Sequence, residues 1–546
     1  MTNPVANPTT PTATADFPIA WREPSDADLT WEWDDMHTPH AVMPLGEDYL
    51  ELLAHGFAYR YEKLGVPLAI LTRVWNGYAY FAFKIDAAEA EHDAVMARYQ
   101  EARRARIPHT AAYWREEALP ELRAMYREID EIDADAISPD RLAVAWERAW
   151  THAERAWDIH FFVIAGPYQV LDDLADAYEA LVENGTATEA LGLVAGLVDE
   201  IRLAEEGLER LTGAAAATPT VADRLRTGDP VTVEEIEGLE GSGAFVAELR
   251  AFLANHGHLG HVGEDLGQAS WLEDARPLLA DIAKRMEHPP AAVAERWAAR
   301  TTESEAIVER VRRLVADRPA ELADFDRVLA AAREIGHLTE GHNYWIDRMC
   351  SDRLRRFVLR VGRRLVRDGA LDAADDVLFL TRREVPDVLA GSLDARPLVA
   401  ERRREHARRQ AIRPPRVVGK PKSESSEADR FDGGRFPPDS DGTLRGTGAS
   451  AGVARGPARV VNGPDDFERV RVGDIIVAPA SNPGWVPLFS IAAGFVTDTG
   501  GVLSHAAVVA REFGLPAVVG LGDATTRIAD GRIVEIDGAA GLVRFV

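Results

Sequence analysis

The chain has a single cysteine, Cys350, in 546 residues, so no disulfide can form within it and a reducing cytoplasm is the expected compartment. No apolar run approaches the roughly 18 residues that a membrane span needs. The opening MTNPVANPTTPTATADFP lacks the basic start and the apolar centre of a secretory signal. Positive charge is also scarce: 62 Lys and Arg against 89 Asp and Glu leave a formal net charge of −27. Such a surface repels phosphate backbones and anionic lipid, so neither nucleic acid nor membrane is an expected partner. There is no glycine-lysine P-loop and no internal repeat. What is present, 46% hydrophobic and 28% charged residues, is the composition of a globular protein too long for one core.

Taken in order, residues 1–18 read as a Pro/Thr-rich disordered tail. Next, WREPSDADLTWEWDDMHTPHAVMPL crowds Trp21, Trp31, Trp33, Asp34, Asp35, His37 and His40 into a turn-rich stretch. Those side chains either line a pocket or plaster the segment onto a domain. Residues 66–86 alternate in two β-rich runs joined by Asn76-Gly77, the dipeptide of a tight type I′ hairpin. From about Ala87 to Val385, apolar residues recur at three-and-four spacing between charged faces, which predicts a helical domain over roughly 19–400.

Near the C-terminus, TDTGGVLSHAAVVAREFGLPAVVG (497–520) reads as strand, glycine turn, helix, strand. Ser504 is placed to cap the helix and His505 falls in its first turn, where free N–H groups and the dipole favour an anion. Gly500 and Gly501 let backbone approach a phosphate closely. A neutral imidazole there is a nucleophile towards phosphorus. On spacing alone, a capped helix start with no chemistry is the competing reading.

GGVLSHAAVVAREFGLPAVVG resembles the signature of the phosphohistidine, or swivelling, domain of phosphoenolpyruvate-utilising enzymes such as phosphoenolpyruvate synthase, pyruvate phosphate dikinase and rifampicin phosphotransferase. The likeness runs from about Leu444 to Val546, through Gly446 to Gly452, Ala480 to Trp485, Asp530-Gly531 and Asp537-Gly538. It implies a C-terminal β/β/α swivelling domain at 444–546, with His505 as the residue phosphorylated and Gly500, Gly501 and Ser504 holding the phosphate. The fold expected is multidomain α and α/β, a large mostly helical substrate domain with a small β-hairpin element followed by that carrier.

Two helical stretches also resemble this family. In LRAFLANHGHLGHVGEDLGQASWLED (249–274), Gly257 and His258 match a family turn in which Leu259 replaces the usual arginine. Its His256, His258, His261, Glu264 and Asp265 fit no standard zinc spacing, and no metal is expected. In 331–366, read as one long helix, His337, Glu340 and Tyr344 share a face. By resemblance, His342 occupies the place of a basic phosphoryl-stabilising residue. His258, His337, His342 and Arg348 are the candidates for positioning and charge stabilisation, set against an ordinary polar face.

Residues 401–443 are expected to link the domains, first basic, from Arg402 to Lys422, then rich in Pro, Gly, Ser and Asp. The basic part either docks an acidic partner or is a solvated helix. The rest has the composition of a mobile tether able to span tens of ångströms. No block of the size of an ATP-grasp domain precedes the helices. The resemblance therefore points to the phosphohistidine subunit of a two-component dikinase of the phenylphosphate synthase or cresol-phosphorylating kind. ATP and Mg2+ would sit on a separate ATP-grasp subunit, no cofactor on this chain, and a small phenol or alcohol would be the acceptor. A rifampicin-type antibiotic phosphotransferase and a non-catalytic binding protein retaining the fold are the alternatives.

Overall fold

A computed structural model describes residues 17–35, 37–260, 265–287, 289, 292–421, 443–481 and 485–546. The first sheet comprises β1 (Thr30–Trp33), β2 (Leu68–Trp75), β3 (Tyr78–Ile85) and β4 (Val417–Gly419), in the order β2-β3-β1-β4. All its neighbours are antiparallel. Asn76 and Gly77 turn the hairpin with φ of 53° and 82°, both positive as a type I′ turn requires.

This sheet corrects two sequence expectations. Phe17, assigned to the tail, is buried with its ring against Tyr78 and Tyr80. β4 comes from the expected linker: Val418 pairs with Trp31, and the Tyr80 hydroxyl donates to the Pro415 carbonyl at 2.7 Å. Alternating aromatics make that sheet face sticky enough to hold both segments. The chain is thus tied down to Gly419, and residues 422–442 of the expected tether lie outside the described residues. The arginine run belongs mainly to the helix Ala395–Gln410 and pairs within the chain, Arg402 with Glu384, Arg403 with Asp376 and Arg409 with Glu47.

Helices fill the region between the sheets. Pro139–Val163 shows why: Ser138 caps it, Pro139 sets φ for its first turn, and Leu142, Trp146, Ala149, Trp150, Ala153 and Trp157 form one buried stripe. Tyr49 meets Trp150 and Trp157 edge-on at 6.5 and 6.1 Å. A tryptophan buried in this way contributes on the order of 3–5 kcal/mol when judged by truncation to alanine.

The C-terminal domain holds β5 (Leu444–Arg445), β6 (Thr447–Ser450), β7 (Val453–Val460), β8 (Ile475–Ala478), β9 (Gly494–Thr497), β10 (Ala517–Val519), β11 (Ile533–Asp537) and β12 (Leu542–Phe545). Their order is β5-β12-β11-β7-β8-β9-β10-β6, with β7 to β10 parallel neighbours and the flanking pairs antiparallel. The helix His505–Phe513 crosses from β9 to β10. Its N-terminus therefore lies beyond the carboxyl end of β9, where open α/β sheets bind ligands.

The carrier domain is docked on the helices. Thr188 Oγ1 donates to the Gly448 carbonyl, Lys284 Nζ to the Phe467 carbonyl at 2.9 Å, and Gly196 N–H to Glu512 at 2.9 Å. Trp297 meets Phe513 at 6.2 Å, and Val502 and Leu503 pack on the main helical core.

Paired glycine substitutions test the packing. A Cβ at Gly362, in the helix Met349–Arg367, would lie 2.0 Å from the Ala374 carbonyl oxygen, whereas one at Gly213 meets nothing within 4 Å. Gly362→Ala should lower unfolding stability by about 1–3 kcal/mol through overpacking. Gly213→Ala, mid-helix, should raise it by about 0.5–1 kcal/mol, both read by denaturant titration.

Candidate active site

Loop geometry first fixes His505. Beyond β9 the chain turns at Gly500, whose φ is 108°. A Cβ there would sit 2.9 Å from Ser504 Oγ, so glycine is required on both backbone and steric grounds. Ser504 occupies the N-cap with extended φ and ψ, but its side chain makes no capping bond and Oγ is buried without a partner among the described residues. The expected position is right and the expected capping bond is not made. That hydroxyl stays available beside His505. Gly501 is buried in the same turn and accepts the Ser504 N–H at 3.0 Å.

His505 is 9% exposed, and its Nδ1 lies 2.8 Å from Glu340 Oε2. Asn343 Nδ2 donates to the same oxygen at 3.2 Å. A carboxylate only accepts, so the contact places the proton on Nδ1 and leaves Nε2 with a lone pair. Nε2 is buried and has no partner among the described residues.

The ring lines an open-mouthed pocket between the C-terminal domain and the helices. Ile201, Leu208, Leu259 and Trp271 make its apolar wall, and Glu200, Glu340, Asn343, Tyr344 and Arg348 its polar side. Glu200 Oε1 accepts from Trp345 Nε1 at 3.1 Å, while its Oε2 is buried and unpartnered among the described residues. Glu205 is different in kind. Burial would raise its pKa, but Arg285 and Arg296, each at 2.8 Å, outweigh that and hold it below the usual carboxylate range. It is a fixed anion in the wall.

The expected long helix is interrupted, which decides who reaches the pocket. It stops at Ile335, resumes over Leu338–Asn343, widens into a π turn at Tyr344–Arg348 and continues from Met349. A π turn inserts a residue and re-phases the face. Glu340, Tyr344 and Arg348, spaced four apart, line one wall. Arg348, buried, donates to the Gly260 carbonyl at 2.5 Å.

Of the four helical candidates, only Arg348 lines the His505 pocket. His258 lines a small neighbouring pocket that shares Gly260 and Arg348. Burial first, then nearby arginines, drive its pKa well below the usual value, so it is neutral. His337 lines neither cavity, and its Nδ1 is buried without a partner among the described residues. His342 also turns away: its Nδ1 donates to the Leu338 carbonyl at 2.6 Å, and burial, reinforced by His160, pushes it down to about 4. Both readings failed because they assumed an unbroken helix. Glu200, Asn343 and Trp271 were not singled out from the sequence; Glu340 carried one signal, its shared face with Tyr344.

Among the described residues, His160, His342 and Asp347 are the group that could hold a metal ion, with ligand atoms within 4.8 Å of one another. His160 Nε2 lies 3.1 Å from Asp347. Burial opposes ionisation of Asp347, and His160 overcomes it, keeping the carboxyl below its ordinary range. None of the three lines the His505 pocket.

Glu512, on the His505 helix, faces the helical domain and is pushed up to about 7, chiefly by burial and against the pull of the Gly196 N–H. Docking therefore favours its neutral form. Its contribution to docking is full below the ordinary value of about 4.5 and is lost as pH rises through about 7. The distance between fluorophores on the two domains should lengthen from pH 5 to 8 in the wild type, and Glu512→Gln should flatten that response.

Residues 470–541 match the mobile domain of PEP-utilising enzymes, and residues 169–340 match the fourth domain of rifampicin phosphotransferase. The chain is 30% identical, over 97% of its length, to 14% of the chondramide synthase of Chondromyces crocatus. It is 24% identical to the uncharacterised phosphotransferase YvkC of Bacillus subtilis, over 77% of this chain and 51% of that protein. A rifampicin phosphotransferase of Streptomyces sviceus is 32% identical over 60% of this chain and 38% of its own length. The chain thus spans about half or less of these curated relatives. The His505–Glu340 bond joins the two matched regions.

Proposed function

From its place in the PEP-utilising phosphotransferase family, with the mobile domain and the rifampicin phosphotransferase fourth domain in one chain, we propose that this protein is the phosphohistidine component of a two-component, ATP-dependent dikinase. His505 takes a phosphoryl group from an ATP-grasp subunit that holds ATP and Mg2+, and passes it to the hydroxyl of a small acceptor, a phenol or related alcohol. One observation carries the reading: a buried His505 Nε2, its tautomer set by Glu340, without a partner among the described residues and beside an open-mouthed pocket.

The pocket's chemistry supports the acceptor class. Trp271, Leu208, Leu259 and Ile201 suit an aromatic or apolar body. The carboxylates of Glu200 and Glu340 disfavour an anionic one. Glu200 Oε2 is the base for the acceptor hydroxyl proton, and Arg348 supplies positive charge against the phosphoryl oxygens. Gly500 clears the approach, and Ser504 Oγ and the first N–H groups of its helix face the group carried on the ring. Transfer of this kind needs alignment and charge more than covalent help. A rifampicin-type acceptor is the second reading, favoured by the fourth-domain match.

Incubation with ATP, Mg2+ and the ATP-grasp subunit should add one acid-labile phosphoryl group to the intact mass. His505→Ala should abolish it; an unlabelled wild type, or an equally labelled variant, contradicts the reading. Labelling by ATP without the second subunit would favour a single-chain kinase. Glu200→Gln should leave charging unchanged and lower kcat for acceptor phosphorylation by about 100-fold or more, the usual share of a general base.

A further inference from the structure

His505 and Glu340 belong to different domains, so their 2.8 Å contact exists only while the domains are docked. Its consequence is chemical. When a phosphoryl group leaves Nε2, the P–N electron pair returns to the ring. With Nδ1 bare, the departing group is an imidazolide anion; with Nδ1 protonated, it is neutral imidazole and a far better leaving group. An imidazole in water keeps both nitrogens substituted by proton or phosphoryl chiefly below its ordinary value of about 6.5. A carboxylate hydrogen-bonded to Nδ1 holds a proton there by accepting its hydrogen bond.

Glu340 is built to do this. Its side chain is 5% exposed, and Asn343 steadies the oxygen that meets Nδ1. The other charged groups around the ring are Glu200, Glu205 and Arg348 across the pocket, with Arg511 and Glu512 on its own helix. Among the described residues, Glu340 is the one hydrogen-bonded to Nδ1.

We propose that Glu340 is the discharge switch: an acceptor-domain carboxylate that makes the phosphoryl bond labile on docking and leaves it durable while the carrier is away. This rests on the reading that Nε2 carries the phosphoryl group. In the step, the Nε2–P bond breaks with its electrons returning to Nε2, and an O–P bond forms to the acceptor hydroxyl. The hydroxyl proton passes to Glu200, and Nδ1 keeps its proton against Glu340 throughout. The products are a phosphate monoester and neutral His505, ready for recharging. Water is excluded as an acceptor in transit because the activating carboxylate is elsewhere.

The test uses the full chain charged chemically with potassium phosphoramidate, which needs no nucleotide subunit. Loss of label to phenol or water is followed from pH 5.5 to 9 by phosphorus NMR and intact mass. At pH 8, Glu340→Gln should hold its phosphoryl group roughly tenfold longer than the wild type or more, because a carboxamide does not keep a proton on Nδ1 as a carboxylate does. The gap should close towards pH 5.5, where the ring protonates unaided. Trp297→Ala, which loosens docking without touching the imidazole, should shift the curve the same way. If the wild type takes no label on His505 Nε2, the underlying reading fails. If it does, but Glu340→Gln or Trp297→Ala follows the wild-type pH curve, the switch alone is overturned.

Discussion

A carboxylate from one domain meeting an imidazole from another is the contact around which this protein is arranged. Burying Glu340 and His505 together strips water from both, and that cost is tolerable because each satisfies the other. The pairing leaves Nε2 as the ring's unsatisfied atom, beside the pocket. Nearby features serve it: Gly500 makes room for Ser504, Tyr344 and Arg348 line the pocket beside Glu340, and Asn343 braces the carboxylate.

The pocket wall is a mixture of paired and unpaired charge. Glu205 is neutralised by Arg285 and Arg296 in a buried network, so it shapes the wall without repelling a phosphoryl group as a bare anion would. Glu200 keeps an unpartnered oxygen, and Arg348 sets a cation opposite.

Local signals were legible from residues alone. Asn76-Gly77 demanded its hairpin, and the strand, glycine turn and helix around His505 could be read because each step is set by neighbours in sequence. The family resemblance extended that to the carrier domain, which the matched region bears out. What escaped reading depends on partners far along the chain. Glu200, Glu340 and His505 meet at the pocket only through packing of segments 140 residues apart (Glu200 to Glu340) and 165 apart (Glu340 to His505) in sequence. His337 and His342 do not line the pocket, and nothing in local periodicity announces the break between Ile335 and Leu338 beside them. The arginine run found its acids, and Phe17 and β4 their sheet, at separations that no window of sequence spans.

The most direct test of the central claim, that a phosphoryl group on His505 is delivered into this pocket, is a single-turnover chase. Protein carrying radioactive phosphate on His505 is mixed with a phenol panel, and the label is followed. The account predicts that label moves stoichiometrically to an organic acceptor. Label that stays on the protein, or appears only as inorganic phosphate at a rate no acceptor changes, would contradict it.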